Sequence, residues 1–207
     1  TNASQLKKKG RMLIDAGVKR INISLDSLDP IIFKKMTRIG DLDEVLENIN
    51  FAINIGFKKI KLNSVLMKNI NDHELFDLTN FAIKNQIDIS FIEEMPLGNV
   101  DHKRNNTFIS NNDVLKQLKS NYKLERITLS TGGPAKYFKI NGSHTNIGLI
   151  SPHSHNFCES CNRVRISCKG ELFLCLGQDH KIELLPLLRN NLNDNQPIIE
   201  AIIEALK

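Results

Sequence analysis

Four cysteines, all within the segment from Cys158 to Cys175, are the residues whose types and spacing point most clearly to chemistry. Cys158 and Cys161 are separated by two residues, which lets both thiolates reach one metal ion or one cluster. A secreted disulfide protein spreads its cysteines across a small fold, whereas a tight group is typical of a reduced metal or cluster site. We therefore predict a metal centre and a cytoplasmic location.

The residues that lead up to Cys175 predict a β-hairpin, because apolar and polar side chains alternate in two runs, Arg163–Ser167 and Glu171–Leu176. A three-residue loop that ends at Gly170, in the left-handed conformation, brings the two apolar faces to the same side. The expected pairs are Ser167 with Glu171, Arg165 with Phe173, and Arg163 with Cys175. Cys175 then shares a face with both arginines, and Cys168 lies in the turn, away from that face.

Three thiolates beside two guanidinium groups indicate a binding site rather than a purely structural one. Three protein ligands to a tetrahedral zinc ion or a four-iron cluster leave one coordination position open, and structural sites are usually closed. Arg163 and Arg165 beside that position imply an anion. A phosphate suits them, because a guanidinium binds it through two parallel hydrogen bonds. The predicted ligand set is Cys158, Cys161 and Cys175.

Two other interpretations of these residues stay open. The first is a zinc-binding structural module, in which Cys168 joins the other three cysteines or His153 or His155 supplies the fourth ligand. The second is a nucleic-acid-binding module that uses the lysines at 7–9 and the arginines of the hairpin. Base stacking needs aromatic side chains, and the chain has two tyrosines and no tryptophan, which disfavours the second interpretation.

Composition and charge narrow the classes of protein further. The 207 residues are 41% hydrophobic and 25% charged, which excludes a disordered chain. No apolar run approaches the roughly 20 residues that a membrane-spanning helix needs. The net charge of +5 is small for the basic track of a nucleic-acid-binding protein. We therefore expect an anionic small molecule as the partner, with no nucleic acid and no membrane.

The elements that must position these residues alternate between helix and strand, which is typical of βα units around a parallel sheet. Helices are predicted at Leu6–Ala16, from Asp41 to Gly56, and from Asn71 or Asp72 to Lys84, with strands at Arg20–Asp26, Lys59–Met67 and Ile87–Met95 and a turn at Asp29–Pro30. Residues 1–98 are thus part of a barrel or of an open doubly wound sheet. Residues 99–207 are predicted to be a smaller α+β part. Its helices are predicted from Asn111 or Asn112 to Leu118, at His180–Leu188 and at Asn195–Leu206, and its strands at Lys136–Ile140 and Asn146–Ser151.

Several stretches resemble the molybdenum cofactor biosynthesis protein A family of radical S-adenosylmethionine enzymes. The most specific stretch runs from Asn156 to Arg165 and reads Asn-Phe-Cys-Glu-Ser-Cys-Asn-Arg-Val-Arg, and Cys175 and Leu176 follow. Other stretches agree in the same order along the chain: Ile21–Asp29, Lys61–Met67, Phe91–Leu97, Gly133–Ala135 and Ile147–Pro152. The resemblance covers nearly the whole chain.

This resemblance implies a fold class and a reaction. The fold is an incomplete (β/α) TIM-like barrel of the radical S-adenosylmethionine type, followed by an α+β part. The activity is that of a GTP 3′,8-cyclase, a lyase that converts GTP to (8S)-3′,8-cyclo-7,8-dihydroguanosine 5′-triphosphate by 5′-deoxyadenosyl radical chemistry. One [4Fe-4S] cluster, on a C-x3-C-x2-C loop, binds and cleaves S-adenosylmethionine, and a second, C-terminal [4Fe-4S] cluster binds the purine of GTP.

Carried over residue by residue, the resemblance implies three sets of site residues. The ligands of the second cluster are Cys158, Cys161 and Cys175. The residues that bind GTP are Lys61, Arg163, Val164 and Arg165. The residues that line the S-adenosylmethionine site are Ser24 and Met95.

The chain also departs from the family pattern. It contains no C-x3-C-x2-C sequence, and it ends at Leu206-Lys207 without the Gly-Gly tail of the family. We therefore expect a fragment, the C-terminal two-thirds of the enzyme, with no catalytic residues of its own and no activity by itself. The expected partners of the whole enzyme are GTP and S-adenosylmethionine, and a homodimer is one option for its assembly.

Overall fold

The computed structural model describes residues 1–95, 104–154, 163–175 and 180–206. These residues form two compact units. The first, which we call the sheet unit, comprises residues 1–95 and 104–154, and the second, which we call the hairpin unit, comprises residues 163–175 and 180–206. No helix in the described ranges is long and apolar enough to cross a membrane.

Helices and strands alternate through the first part of the sheet unit. Its helices are α1 (Leu6–Asp15), α2 (Pro30–Thr37), α3 (Leu42–Ile55), α4 (Leu75–Lys84, preceded by a 3₁₀ turn at Asp72–Glu74), α5 (Arg104–Thr107) and α6 (Asn111–Asn121). Its strands are β1 (Arg20–Ser24), β2 (Lys59–Leu66), β3 (Asp88–Glu93), β4 (Leu124–Ile127), β5 (Lys136–Ile140) and β6 (Asn146–Ile150). The hairpin unit contains β7 (Arg165–Ile166), β8 (Glu171–Phe173), β9 (Lys181–Glu183), α7 (Leu184–Asn190) and α8 (Gln196–Ala205).

The six strands of the sheet unit form one sheet in the order β1-β2-β3-β6-β5-β4. Strands β1, β2, β3 and β6 run parallel, and β5 is antiparallel to both of its neighbours. Parallel neighbours need a crossover connection, and helices α2 to α4 supply it between the first three strands. The fold is therefore α/β, a partial (β/α) barrel, as the sequence predicts.

The two faces of this sheet differ in chemistry because side chains alternate along each strand. One face packs against the helices, and its side chains, among them Ile23, Leu62 and Phe91, are fully buried in the main apolar core. The opposite face, which we call the polar face, carries Asn22 and Ser24 of β1, Lys61 and Asn63 of β2, Asp88 and Ser90 of β3, Gly148 of β6 and Tyr137 of β5.

Helix α3 lies where the sequence predicts it. The Asp41 carboxylate accepts a hydrogen bond from the Glu44 backbone N–H at 3.1 Å, and Gly56 ends the helix in the left-handed conformation, with φ 95°. Apolar side chains recur every three or four residues, so Val45 and Ile49 fall on one buried face of the helix.

Helix α2 lies where the sequence predicts only a turn, at Asp29–Pro30. The Asp29 carboxylate accepts hydrogen bonds from the backbone N–H groups of Ile31 at 2.8 Å and Ile32 at 2.9 Å, and Pro30 occupies the first helical position. Both features favour a helix N-terminus as well as a turn. Burial of Phe33 in the core decides in favour of the helix.

The strands of the hairpin unit are shorter than predicted. β7 and β8 cover Arg165–Ile166 and Glu171–Phe173, whereas the prediction extends to Arg163 and Leu176. The predicted helix from His180 to Leu188 is also partly wrong, because β9 forms before α7 begins. One edge of β8 pairs with β7, and the N–H and C=O groups of its other edge pair with β9 in antiparallel fashion.

The sheet unit continues past residue 98, the boundary predicted from the sequence. Strands β4 to β6 follow that boundary, and β6 pairs with β3, so residues 104–154 belong to the same compact unit as residues 1–95. The division into 1–98 and 99–207 stays a prediction about which part of the chain binds the cluster and GTP.

Candidate functional site

Five residues, one on each of five neighbouring strands, lie side by side on the polar face. The register pairs Ser24 with Asn63, Asn63 with Ser90, Ser90 with Gly148, and Gly148 with Tyr137. We call these five residues the central row. Lys61 lies two residues before Asn63 on β2 and therefore on the same face. Active sites of barrel folds lie at the C-terminal ends of the strands, and the central row lies on the C-terminal side of Lys61.

The Lys61 ammonium group is held by a phenol. Its Nζ donates a hydrogen bond to the Tyr137 hydroxyl at 3.1 Å and lies 5.7 Å from the centroid of the same ring. Because an ammonium group can only donate, the hydroxyl accepts this bond, and its own proton is available for Thr131 Oγ1, 3.1 Å away. None of the ion pairs among the described residues includes Lys61. A partly buried cation with a neutral partner is suited to bind an anion.

Two buried acceptors of the central row lack a partner. Asn63 Oδ1 and Ser90 Oγ are buried, and neither has a hydrogen-bond partner within the described part of the chain. An unpaired buried polar group costs about 1–3 kcal/mol, so such groups are expected where a bound molecule completes them. Gly148 keeps the adjacent space open, because a Cβ atom there would lie 2.4 Å from Ser90 Oγ.

A side-chain clamp joins the C-terminal ends of β1 and β2. Asn71 Nδ2 donates to the backbone oxygens of Asp26 at 2.6 Å and Val65 at 2.9 Å, and its Oδ1 accepts from the Met67 N–H at 2.7 Å. The sequence predicts that Asn71 or Asp72 caps the helix through Lys84, but the N-cap of α4 is Glu74 and the Asn71 side chain caps no helix. Burial raises the pKa of Asp26, although a hydrogen bond from the Val65 N–H opposes the shift.

A second buried carboxylate, Glu93, lies at the end of β3 and is 1% exposed. It accepts hydrogen bonds from the backbone N–H groups of Asn111, His153 and Ser154 and from the Ser154 hydroxyl, at 2.5 to 3.2 Å. Burial alone raises the pKa of Glu93, but the four hydrogen bonds together outweigh burial and lower it. The carboxylate thereby ties β3 to helix α6 and to the segment after β6.

The predicted register of the hairpin is confirmed over its described ladder. The observed pairs are Arg165 with Phe173 and Ile166 with Leu172, and the Ser167 backbone N–H donates to the Glu171 backbone oxygen at 2.9 Å. Gly170 closes the three-residue loop in the left-handed conformation, with φ 74°. Cys168 lies in this loop and is exposed, as predicted.

The ladder ends before Arg163 and Cys175, so their pairing stays a prediction. Cys175 lies two residues after β8 and is partly buried. A thiolate is the donor that an iron–sulfur cluster uses, so this residue fits the predicted centre. Cys158 and Cys161 lie outside the described residues.

The remaining predicted site residues fall in both units. In the sheet unit, Ser24 and Lys61 lie on the polar face of neighbouring strands, and Met95 lies two residues after β3 with 36% of its surface exposed. In the hairpin unit, Arg163, Val164 and Arg165 are exposed. The structure therefore brings Ser24 and Lys61 to one face, and the roles of all these residues stay predictions.

Asn63, Ser90, Tyr137 and Glu93 were not among the site residues predicted from the sequence. Strand parity offers a signal for Asn63, because it shares a face with Lys61. No comparable signal exists for Tyr137, whose strand joins the sheet in antiparallel fashion far along the chain. Its contact with Lys61 depends on pairing that only the folded sheet establishes.

Two family models match the chain. The Molybdenum Cofactor Synthesis C model matches residues 87–207, and the Radical SAM superfamily model matches residues 1–82. The first match covers more than half of the chain. Together they divide the chain in the middle of the sheet unit, shortly before β3.

Two relatives that are similar to the whole chain are both named GTP 3′,8-cyclase. The GTP 3′,8-cyclase of Saccharophagus degradans is 49% identical over 207 residues, which are 100% of this chain and 62% of that protein. The GTP 3′,8-cyclase of Pseudomonas fluorescens is 49% identical over 209 residues and is covered to 63%. The chain therefore spans about 62% of the length of the curated relatives that it matches.

Solved structures support the fold. The crystal structure of Streptococcus suis SuiB bound to S-adenosylmethionine matches 86% of this chain and 43% of that chain, with a TM-score of 0.51 and 16% identity. A second crystal structure of Streptococcus suis SuiB matches 86% of this chain and 44% of that chain, with a TM-score of 0.50 and 14% identity. At such low identity the likeness shows the fold alone. The sequence matches confirm the resemblance to molybdenum cofactor biosynthesis enzymes, and the chain belongs to the Molybdenum Cofactor Synthesis C family.

Proposed function

We propose that this chain supplies the GTP-binding and second-cluster-binding part of a GTP 3′,8-cyclase in molybdenum cofactor biosynthesis. The observation that carries the proposal is the Lys61 ammonium group, which has a neutral hydroxyl as its partner on a face that also holds two unpaired buried acceptors. The 49% identity to GTP 3′,8-cyclases supports the same assignment. The substrate is GTP, and the product is (8S)-3′,8-cyclo-7,8-dihydroguanosine 5′-triphosphate.

When bound, S-adenosylmethionine and a [4Fe-4S] cluster would supply the 5′-deoxyadenosyl radical for hydrogen abstraction from the ribose. The residues of this chain bind and orient. Ser24 and Met95 line the S-adenosylmethionine site. Holding the ribose still relative to the reacting atoms accounts for most of the rate acceleration, because the entropy cost of bringing them together is met when GTP binds.

The phosphates of GTP are the proposed anion. Lys61, Arg163 and Arg165 counter the triphosphate charge. Val164, which lies between the two arginines in the sequence, also binds GTP in this proposal. Hydrogen bonds between cationic side chains and phosphate are about twice as strong as neutral ones. Among the described residues, no carboxylate forms an ion pair with Lys61, so its ammonium group can pair with a phosphate of the ligand.

The second [4Fe-4S] cluster is the proposed cofactor of the cysteines. Cys158, Cys161 and Cys175 would hold it, and it would supply an open coordination position for the guanine base. Cys168, in the exposed turn of the hairpin, takes no part. Thiolate ligands need a reducing compartment, which supports a cytoplasmic location. A homodimer and the absence of nucleic-acid binding stay predictions.

Replacement of Lys61 tests the proposal in the full-length enzyme. We expect Lys61→Ala to weaken GTP binding about tenfold or more in calorimetric titrations, because a charge-assisted contact is lost. Binding of guanosine, which lacks phosphates, and of S-adenosylmethionine should change little. Lys58→Ala, which removes an exposed lysine just before β2, is the matched control. Equal GTP affinity in the wild type and in Lys61→Ala would contradict the proposal.

A further inference from the structure

Tyr137 reaches Lys61 across two intervening strands. Lys61 lies on β2 and Tyr137 on β5, with β3 and β6 between them. Neighbouring strands are about 4.8 Å apart, so three spacings separate the two backbones by about 14 Å in a flat sheet. A contact of 3.1 Å between the two side-chain ends therefore requires both long side chains to extend toward each other over the polar face.

This contact places the ammonium group of Lys61 across the sheet, toward β5, and also along β2, toward the C-terminal end of the strand. Tyr137 belongs to the central row, which lies two residues beyond Lys61 on β2, about 7 Å toward the C-terminal strand ends. The unpaired acceptors of Asn63 and Ser90 lie in the same row. Tyr137 thus brings the positive charge toward the end of the sheet where ligands of barrel folds bind.

The nearest carboxylate on the neighbouring strand is engaged elsewhere. Asp88 is the register partner of Lys61, but its Oδ1 accepts two hydrogen bonds from Asn146, at 2.9 and 3.0 Å. Its Oδ2 lies 3.9 Å from the ammonium group of Lys59. Lys61 therefore has no carboxylate partner among the described residues, and within them two of its three N–H donors remain for a ligand.

The phenol itself is firmly held. Tyr137 is 1% exposed, and Thr131 Oγ1 lies 3.1 Å from its hydroxyl. Gly148 gives its ring room, because a Cβ atom at that position would lie 3.1 Å from Tyr137 Cε1. An acceptor that is fixed in this way can define one position for a flexible lysine side chain, which otherwise has many rotamers.

We propose that Tyr137 is a positioning residue, whose hydroxyl holds the Lys61 ammonium group toward the phosphates of the bound nucleotide. This inference rests on the proposed function, because it takes GTP as the ligand of Lys61. Tyr137 acts through Lys61 and needs no contact of its own with GTP.

The test is a double-mutant cycle in the full-length, cluster-loaded enzyme. Tyr137→Phe retains the ring and removes the hydroxyl, and we expect it to weaken GTP binding about fivefold, because the ammonium group loses the acceptor that fixes its position. In the Lys61→Ala background the same change should have no further effect, because the group that Tyr137 positions is already absent. KM for GTP should rise in Tyr137→Phe, while S-adenosylmethionine binding stays at the wild-type level.

Each result separates this inference from the proposed function. If Lys61→Ala weakens GTP binding and Tyr137→Phe does not, the positioning role is wrong and the proposed function stands. If Tyr137→Phe weakens GTP binding equally with and without Lys61, the hydroxyl acts on the structure in general, which also overturns the positioning role. Thr131→Val, which removes the second partner of the phenol, should weaken GTP binding in the same direction by a smaller factor.

Discussion

Glu93 and Ser154 connect the end of β3 to the segment after β6 through two hydrogen bonds. The Ser154 hydroxyl donates to Glu93 Oε1 at 2.5 Å, and the Ser154 backbone N–H donates to Oε2 at 2.9 Å. Ser154 precedes Cys158 by four residues in the sequence. A buried carboxylate of the sheet unit therefore anchors the chain shortly before its cysteine-bearing segment.

We expect Glu93→Gln to destabilise the chain by about 1.5–3 kcal/mol at neutral pH, because hydrogen bonds to a charged group are lost and an amide N–H₂ group faces backbone donors. Urea unfolding of the metal-free chain, followed by circular dichroism, measures the change. Glu125→Gln, which alters an exposed carboxylate on β4, should leave the free energy of unfolding within about 0.5 kcal/mol.

The effect of Glu93 should depend on pH in one direction. Its folded-state pKa lies below the ordinary value of 4.5, so its contribution is fully present above 4.5 and is lost as the pH falls through the folded-state pKa. The difference between wild type and Glu93→Gln should shrink over this acidic range. A difference that stays constant from neutral pH to well below 4.5 would contradict the assignment.

Two fully buried serines offer a matched comparison of paired and unpaired hydroxyls. Ser27 Oγ donates to Glu74 Oε1 at 2.6 Å, whereas Ser90 Oγ has no partner among the described residues. We expect Ser27→Ala to cost about 1–3 kcal/mol of unfolding free energy and Ser90→Ala to be neutral or stabilising in the ligand-free chain. Urea unfolding of both variants checks the prediction, and a loss of similar size for both would show that Ser90 is paired.

Gly148→Ala should destabilise the sheet unit by about 1–3 kcal/mol, because the added Cβ would lie 2.4 Å from Ser90 Oγ and 3.1 Å from Tyr137 Cε1. The backbone φ of Gly148 is not in the left-handed region, so the cost comes from overpacking alone. Thermal unfolding measures the effect. Addition of Ser90→Ala should restore part of the loss, and a double variant no more stable than Gly148→Ala would point to the tyrosine ring as the main obstacle.

Cysteine variants distinguish the proposed cluster from a four-cysteine zinc site. After anaerobic reconstitution of this chain with iron and sulfide, Cys175→Ser should lose the visible absorption of a cluster, whereas Cys168→Ser should keep it, because Cys168 lies in the exposed turn of the hairpin. Iron analysis supplies the second measurement. Tight zinc binding that needs both cysteines, without visible absorption, would support the closed zinc site instead.

Local features of this protein could be predicted from the sequence because they depend on residues close together along the chain. The cap at Asp41, the end of α3 at Gly56 and the register of the hairpin around Gly170 all follow from neighbouring side chains and loop length. The same locality explains the error at Asp29–Pro30. Those two residues permit either a turn or a helix, and burial of Phe33 selects the helix.

The tertiary structure alone determines which residues gather on the polar face. The contact between Lys61 and Tyr137 joins residues 76 positions apart, and the bond between Glu93 and Ser154 joins residues 61 positions apart. Both depend on the pairing of β6 with β3, and the first also depends on the pairing of β5 with β6. A shift of one residue in the pairing of β5 would turn Tyr137 to the opposite face. The sequence by itself specifies the cysteine spacing and the alternation of each strand, while long-range pairing of the sheet selects the partners of each polar side chain.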